Sequence, residues 1–322
     1  MKKLIALAII VVLVAVGYSA AWFWAAGQAK DYVKQLETAD GVEVPRLVCG
    51  SFSIGGFPFG FDATCTDASV QLGDISVELS GLKASVEVYR PTHVLIFAQG
   101  PVTVADAFTG SQSRVDFASA EASARLDGWR IGRVSLVVEA PVWTDTVLGD
   151  RLLAQADGFE AHLLDMPDRH DAAAGLASLA IYSKTTGLSA PGAGLAGGEA
   201  TLEAELGNLG DDVRAYSDAE LLRRWQEAGG RLVLTSLKGD AADLAFEVSG
   251  TLGLDSSGRA EGQLKLHSKG VVERLGPLLP ADVRGMVTGA PAADGSYSQT
   301  LTLRAGVAFA GLVPVGMVPP LF

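Results

Sequence analysis

From Leu4 to Ala26 the chain runs for 23 residues without a charged side chain, preceded by Lys2 and Lys3 and followed by Gln28, Lys30 and Asp31. At about 1.5 Å per residue, a helix of this length crosses a hydrocarbon core of roughly 30 Å. Residues 1–27 are therefore expected to form a transmembrane anchor, which confines the rest of the chain to one side of a membrane. The two leading lysines favour an N-in orientation with the body exported, although Lys30 and Lys34 reduce the asymmetry. A cleaved signal peptide is the rival reading, since Ser19-Ala20-Ala21 offers small residues where processing could occur. Trp22 and Trp24 favour a retained anchor, because indoles settle at a membrane interface and would be an unusual start for a mature chain.

The remaining chain is long enough for one large or two ordinary domains. With 48% apolar and 19% charged residues it is not a disordered chain, and two cysteines cannot staple a disulfide-dense miniprotein. The formal net charge of −12 repels phosphate backbones, so nucleic acid is not an expected partner.

Beyond the anchor the apolar period is two. Val70 and Leu72, then Ile75, Val77 and Leu79, then Leu82, Ala84, Val86 and Val88, then Val94, Ile96 and Ala98 alternate with polar neighbours. Gly73-Asp74, Ser80-Gly81, Arg90-Pro91 and Gly100-Pro101 punctuate these runs, which is the rhythm of antiparallel meanders. The pattern resumes at 133–139, 154–164, 176–182, 199–206, 231–237, 242–254, 259–267 and 296–309. The fold class is thus mainly β: antiparallel meander sheets behind an N-terminal transmembrane helix, in a compact or an open, grooved form.

Helices are few. Ser217-Asp218-Ala219-Glu220 reads as a capping box ahead of the stripe Leu221, Leu222, Trp225 and Ala228, and Gly229-Gly230 ends it. A second short helix is expected from Val271 to Leu279, interrupted by Pro277 and stopped by Pro280. The Gly-rich stretch 187–198 reads as a linker or loop between a first β-rich half, 28–186, and a second, 199–322.

Cys49 and Cys65, 16 positions apart, bracket a segment with Phe52, Phe57, Phe59 and Phe61. In an oxidising compartment the two cysteines are expected to form a disulfide; the spacing does not suit Cys-x-x-Cys chemistry, and no histidines stand near enough for zinc. The four phenylalanines are candidates for an apolar ligand or partner surface. Their alternative is burial, with Gly55, Gly56, Pro58 and Gly60 bending the chain so that every ring reaches the core.

The anchor, the motif Cys49-Gly50-Ser51-Phe52…Gly55-Gly56-Phe57-Pro58-Phe59…Cys65 and the ending Gly311-Leu312-Val313-Pro314…Pro319-Pro320-Leu321-Phe322 together resemble the DUF2125 family of uncharacterised alphaproteobacterial envelope proteins. The hairpin-like stretch 250–266 also resembles the β-hairpins of AsmA-like envelope proteins. The resemblance implies location and architecture, namely a single-pass inner-membrane protein with its body in the periplasm, and it supplies no catalytic residues.

A search for chemistry adds little. His162, Asp165, Asp168, His170 and Asp171 fall within ten residues and carry ligand-type groups, but they equally suit a strand end and an exposed loop around Pro167. No catalytic residue, cofactor or metal site is expected; nucleophile elbows, phosphate loops and His-Glu-x-x-His helices are absent from the sequence. An outer-membrane barrel conflicts with a retained anchor and with Pro314, Pro319 and Pro320 near the end of the chain. The expectation is a non-enzymatic envelope protein, a scaffold or a handler of lipid or other apolar ligands, whose partners are the membrane, lipid or another envelope protein. An inward apolar set would include Val86 and Val88 with Val94 and Ile96, joined through a turn at 90–92. The alternative is an exported hydrolase whose site is assembled from distant residues.

Overall fold

The computed structural model describes all residues except Met1, Glu43, Ser217, 276–284, 286 and 287. The chain is mostly antiparallel β-sheet behind one long N-terminal helix, and it divides into two compact units.

The first unit comprises residues 1–123 and 142–151. It opens with α1 (Lys2–Glu37), an apolar helix long enough to cross a membrane, which continues through the expected extension at 28–37. Behind it come β1 (Arg46–Gly55), β2 (Gly60–Leu72), β3 (Ile75–Glu87), β4 (Arg90–Asp106), β5 (Ser111–Asp116) and the first half of β6 (Ser119–Asp127). After β7 (Arg130–Glu139), which belongs to the second unit, β8 (Val142–Asp145) returns to the first. The antiparallel order is β1-β2-β3-β4-β5-β8, and β6 also pairs with β4.

The second unit comprises residues 124–141 and 152–322. After β9 (Arg151–Gln155) come β10 (Gly158–Asp165), β11 (Leu176–Ala190), β12 (Leu195–Gly210), α2 (Leu221–Glu227), β13 (Arg231–Ala241), β14 (Leu244–Leu254) and β15 (Ala260–Lys269). Next are α3 (Val271–Leu275), β16 (Tyr297–Arg304), β17 (Val307–Ala310) and β18 (Val313–Met317). Its order is β7-β10-β11-β12-β13-β14-β15-β16-β17-β18, antiparallel throughout. The β16–β17 connection shows how locally these hairpins are specified: Ala305 and Gly306 both hold positive φ, 49° and 80°, the geometry whose twist matches the flanking strands.

A packed core lies in the second unit, where Ile131, Leu179 and Leu209 are buried. Leu126, Val134, Leu206, Val213, Tyr216, Leu221 and Trp225 pack around them. Helix α2 supplies the last two, and it is fixed by Trp225, whose Nε1–H donates to the Gly207 carbonyl at 2.8 Å. Gly230 N–H in turn caps the Trp225 carbonyl.

Several expectations need revision. The stretch 187–198 does not separate two halves: it is the closed end of the β11–β12 hairpin, and the units divide near residues 123 and 151 instead. The expected run 154–164 breaks at Ala156-Asp157 into β9 and β10. Ser217 of the expected capping box, and Pro277 to Pro280 of the second helix, lie outside the described residues. The N-cap of α2 is Glu220, which makes no side-chain capping bond; Asp218 just before it accepts the Glu220 N–H on its carboxylate. Pro314, read as a bar to a final strand, lies within β18; that strand is short, pairs with β17 and shifts register where Pro314 enters, so the missing N–H costs little.

Candidate functional site

The register of β1–β4 gathers apolar residues onto one face. Phe61 pairs with Val86, which pairs with Val94. In the next row Ile54, Ala63, Ala84 and Ile96 stand side by side, and in the next Phe52, Cys65, Leu82 and Ala98. Directly paired residues share a face, and successive residues along a strand alternate between faces. The opposite face of the same strands carries Ser53, Thr64, Lys83 and Phe97 in one row and Asp62, Ser85 and Leu95 in another, polar on β1–β3 and apolar at β4. Ser85 Oγ–H donates to the Asp62 carboxylate and Lys83 Nζ lies 3.8 Å from it. Across β1–β3 the sheet is therefore amphipathic, polar on one side and apolar on the other.

The apolar side is not filled. Cys65 is buried, but Phe52, Ile54, Phe61, Ala63, Leu82, Ala84, Val86, Val94, Ile96 and Ala98 all retain partial solvent access. In the second unit Leu179 is 3% exposed in a packed core, while the paired row Leu202, Leu237, Val248 and Leu266 is half-buried like the face of β1–β4.

The disulfide explains how this face continues beyond the third row. Cys49 and Cys65 are bonded, with Cα atoms 5.4 Å apart. Strict alternation from Phe52 and Ile54 would send Cys49 to the polar face, yet it reaches Cys65 on the apolar one. The alternation must therefore slip by one residue between positions 49 and 52. Strand β2 slips at the same level: Cys65 and Ala68 are both buried while Thr66 and Asp67 between them are exposed, and Asp67 holds φ at 45°. The β3–β4 ladder shifts register there too, between Leu79 and Gly81. Beyond the slip the paired rows are again apolar: Cys49, Ala68, Leu79 and Val102, then Leu47, Val70, Val77 and Val104. From Ile75 to Val86 the track along β3 measures about 36 Å at roughly 3.3 Å per residue.

One end of this face meets the helix. Trp22 of α1 stacks on Phe61 with ring centroids 5.0 Å apart and 2° between planes, and it meets Phe57 edge-on at 5.4 Å. Trp22 Nε1–H donates to the Gly60 carbonyl at 2.9 Å, and the Tyr18 hydroxyl donates to the Pro58 carbonyl. Gly56 turns the connecting loop at φ 96°, where a Cβ would lie 2.8 Å from the Gly60 carbonyl oxygen.

The four phenylalanines thus divide. Phe52 and Phe61 stand on the apolar face, while Phe57 and Phe59 form the loop and are exposed, Phe59 by 73%. Val86, Val94 and Ile96 share the face as paired, but Ile96 stands opposite Ala84, while Val86 faces Val94. Val88 is not on it: the turn falls at Val88-Tyr89, not at 90–92, and β4 already begins at Arg90. Pro91 misleads because it lies in the irregular stretch between the Glu87–Arg90 and Val86–Val94 pairs, where no ladder N–H is required.

The histidine cluster does not converge on a metal. His170 Nε2 and Asp165 Oδ1 lie 2.6 Å apart, and Arg130 Nε lies 3.6 Å from the other oxygen of the same carboxylate, so Asp165 is shared between two cationic-type groups. The His162 ring stacks on Tyr182, and the Asp171 carboxylate accepts the N–H groups of Ala173 and Ala174 in a turn. Among the described residues no group of three or more His, Cys, Asp or Glu side chains is placed to hold a metal ion.

No curated protein and no solved structure matches the chain, and the likeness of 250–266 to AsmA-like hairpins is not shown. A family model described as an uncharacterized protein conserved in bacteria, DUF2125, matches residues 22–319, reaching from the Trp22 contact through both units, and the chain belongs to that family.

Proposed function

We propose that this is a non-enzymatic envelope protein, anchored in the inner membrane with its body in the periplasm, that holds lipid or other apolar molecules on the open face of β1–β4. One observation carries the reading: a continuous apolar face whose side chains, apart from those near the disulfide, stay half-buried where a packed domain would cover them. Apolar surface left wet is unfavourable by roughly 25 cal/mol per Å², so a face of this kind is stabilised by an apolar occupant. A scaffold that closes the face with another envelope protein is the competing outcome.

The test uses the full chain extracted in mild detergent, with bound lipid counted by mass spectrometry. Val86→Asp and Ile96→Asp are expected to fold, to melt within a few degrees of the parent and to retain less lipid. A charge inside a filled core costs several kcal/mol, so insoluble or molten variants would show that the face is an ordinary core and sink the reading. Orientation is checked separately: a C-terminal alkaline phosphatase fusion should be active and the body should resist carbonate extraction.

A further inference from the structure

We propose that the loop Phe57-Pro58-Phe59 is immersed in the membrane leaflet from which α1 emerges, giving the body a second point of contact with the bilayer besides its anchor. Depth follows from the helix. Tyr18 and Trp22 lie about 21 and 27 Å along α1 from Leu4 at roughly 1.5 Å per residue, which places Tyr18 within the far leaflet and Trp22 near the far boundary of a hydrocarbon core of about 30 Å. Whatever packs on them lies at the same depth. The loop does so through the Tyr18–Pro58 and Trp22–Gly60 hydrogen bonds and through Phe57, whose ring centroid lies 5.5 Å from that of Phe23.

Lipid imposes the condition that backbone polar groups find partners within the protein, and four carbonyls in and beside the loop do so. The carbonyl of Gly56 accepts the Gly60 N–H, that of Pro58 accepts Tyr18, that of Phe59 accepts the Val88 N–H and that of Gly60 accepts Trp22. Pro58 has no N–H to satisfy. With these four carbonyls partnered, the Phe59 ring is left 73% exposed, and Phe57, packed on Trp22 and Phe23, is 47% exposed.

The neighbouring turn completes an interfacial surface. The Val88 N–H bond to Phe59 holds the β3–β4 turn beside the loop, and there Tyr89 is exposed, its hydroxyl donating to the Glu87 carboxylate at 2.6 Å and the Arg90 guanidinium 5.9 Å over its ring. An amphipathic ring beside a cation suits the headgroup layer, just above phenyl rings in the acyl boundary. The inference requires α1 to remain in the membrane and does not depend on the lipid-holding function.

The test is photo-crosslinking of the full chain in vesicles of phosphatidylethanolamine and phosphatidylglycerol. Phe59→p-benzoylphenylalanine is compared with Phe108→p-benzoylphenylalanine; Phe108 is exposed too, by 85%, but lies just past the opposite end of β4, about 50 Å away by strand length. Lipid adducts at position 59 several-fold above those at position 108 are expected. Equal yields, no adduct at position 59, or crosslinks there to a second protein chain would overturn the inference. Lipid labelling at position 59 together with unchanged lipid retention in Val86→Asp would remove the lipid-holding function and leave the immersed loop standing.

Discussion

Trp22 and Phe61 lie face to face, 5.0 Å between centroids, although 39 positions separate them in the chain. Phe61 pairs with Val86 and through it with Val94, so the stack joins the last apolar turns of α1 to the first row of the open face. An anchor that only tethered the body would have no reason to seat an indole, 6% exposed, on the sheet.

Removing that indole should loosen the loop it holds. Trp22→Ala deletes one stacked pair, two edge-on pairs and the bond to Gly60, contributions of about 0.5–1.5 kcal/mol each. Hydrogen exchange at the Val88 N–H, which bonds the Phe59 carbonyl, is expected to accelerate by about tenfold or more. Trp22→Phe, which keeps a ring and loses the hydrogen bond, should fall between. Unchanged exchange in both variants would mean that the helix and loop are merely adjacent.

The disulfide should stabilise the first unit through the loop it closes. A closed loop of this size constrains the unfolded chain by about 3 kcal/mol on the chain-entropy account. Protein isolated without reductant should show no free thiol, and the paired change of Cys49 and Cys65 to serine should lower the denaturation midpoint by a corresponding amount. Two reactive thiols in the native protein would refute the pairing.

Tyr216 predicts an alkaline limit to stability in the second unit. Its hydroxyl donates to the Gly210 carbonyl at 2.8 Å, and burial, helped by Asp211 and Asp212, raises its pKa above the usual 10. The folded state thus holds the phenolic proton more tightly than the unfolded chain. The stabilisation is fully present below pH 10 and is lost as the pH rises through the folded-state value. Tyr216→Phe should flatten the stability curve above pH 10, measured by urea unfolding across that range; an identical alkaline decline in the variant would reject the assignment.

The order of residues showed some of this architecture and hid the rest for identifiable reasons. Leu82, Ala84 and Val86 alternate over a local span, so their strand and its facing set could be read directly, as could the uncharged run of α1. The slip beside Cys49, Asp67 and Gly81 could not. A step of three between apolar residues in one strand looks like a strand end, and only the neighbouring strands show that all of them slip together. Strands β5, β6 and β8 were missed because their signals are weak: Ser119–Asp127 alternates strictly, but its apolar positions are Ala120, Ala122 and Ala124 before Leu126, and alanine has little β-propensity. The loop's exposure depended on Tyr18 and Trp22, which no local pattern connects to it.

The sharpest physical distinction between the two units lies in what a cavity costs. Leu179 is 3% exposed and sits among Ile131 and Leu209, so Leu179→Ala should leave a void and cost about 2–5 kcal/mol. Ile96 on the open face has fewer atoms around it to lose. Ile96→Ala should therefore cost about 1 kcal/mol or less in delipidated protein, since solvent or a neighbouring side chain enters the space. Readding lipid should widen the gap between Ile96→Ala and the parent, because an occupant contacts the side chain that the variant lacks, while the cost of Leu179→Ala stays the same. Thermal unfolding of the two variants, with and without added phospholipid, reads both effects at once. Equal losses for the two substitutions in delipidated protein would mean that the face of β1–β4 is closed.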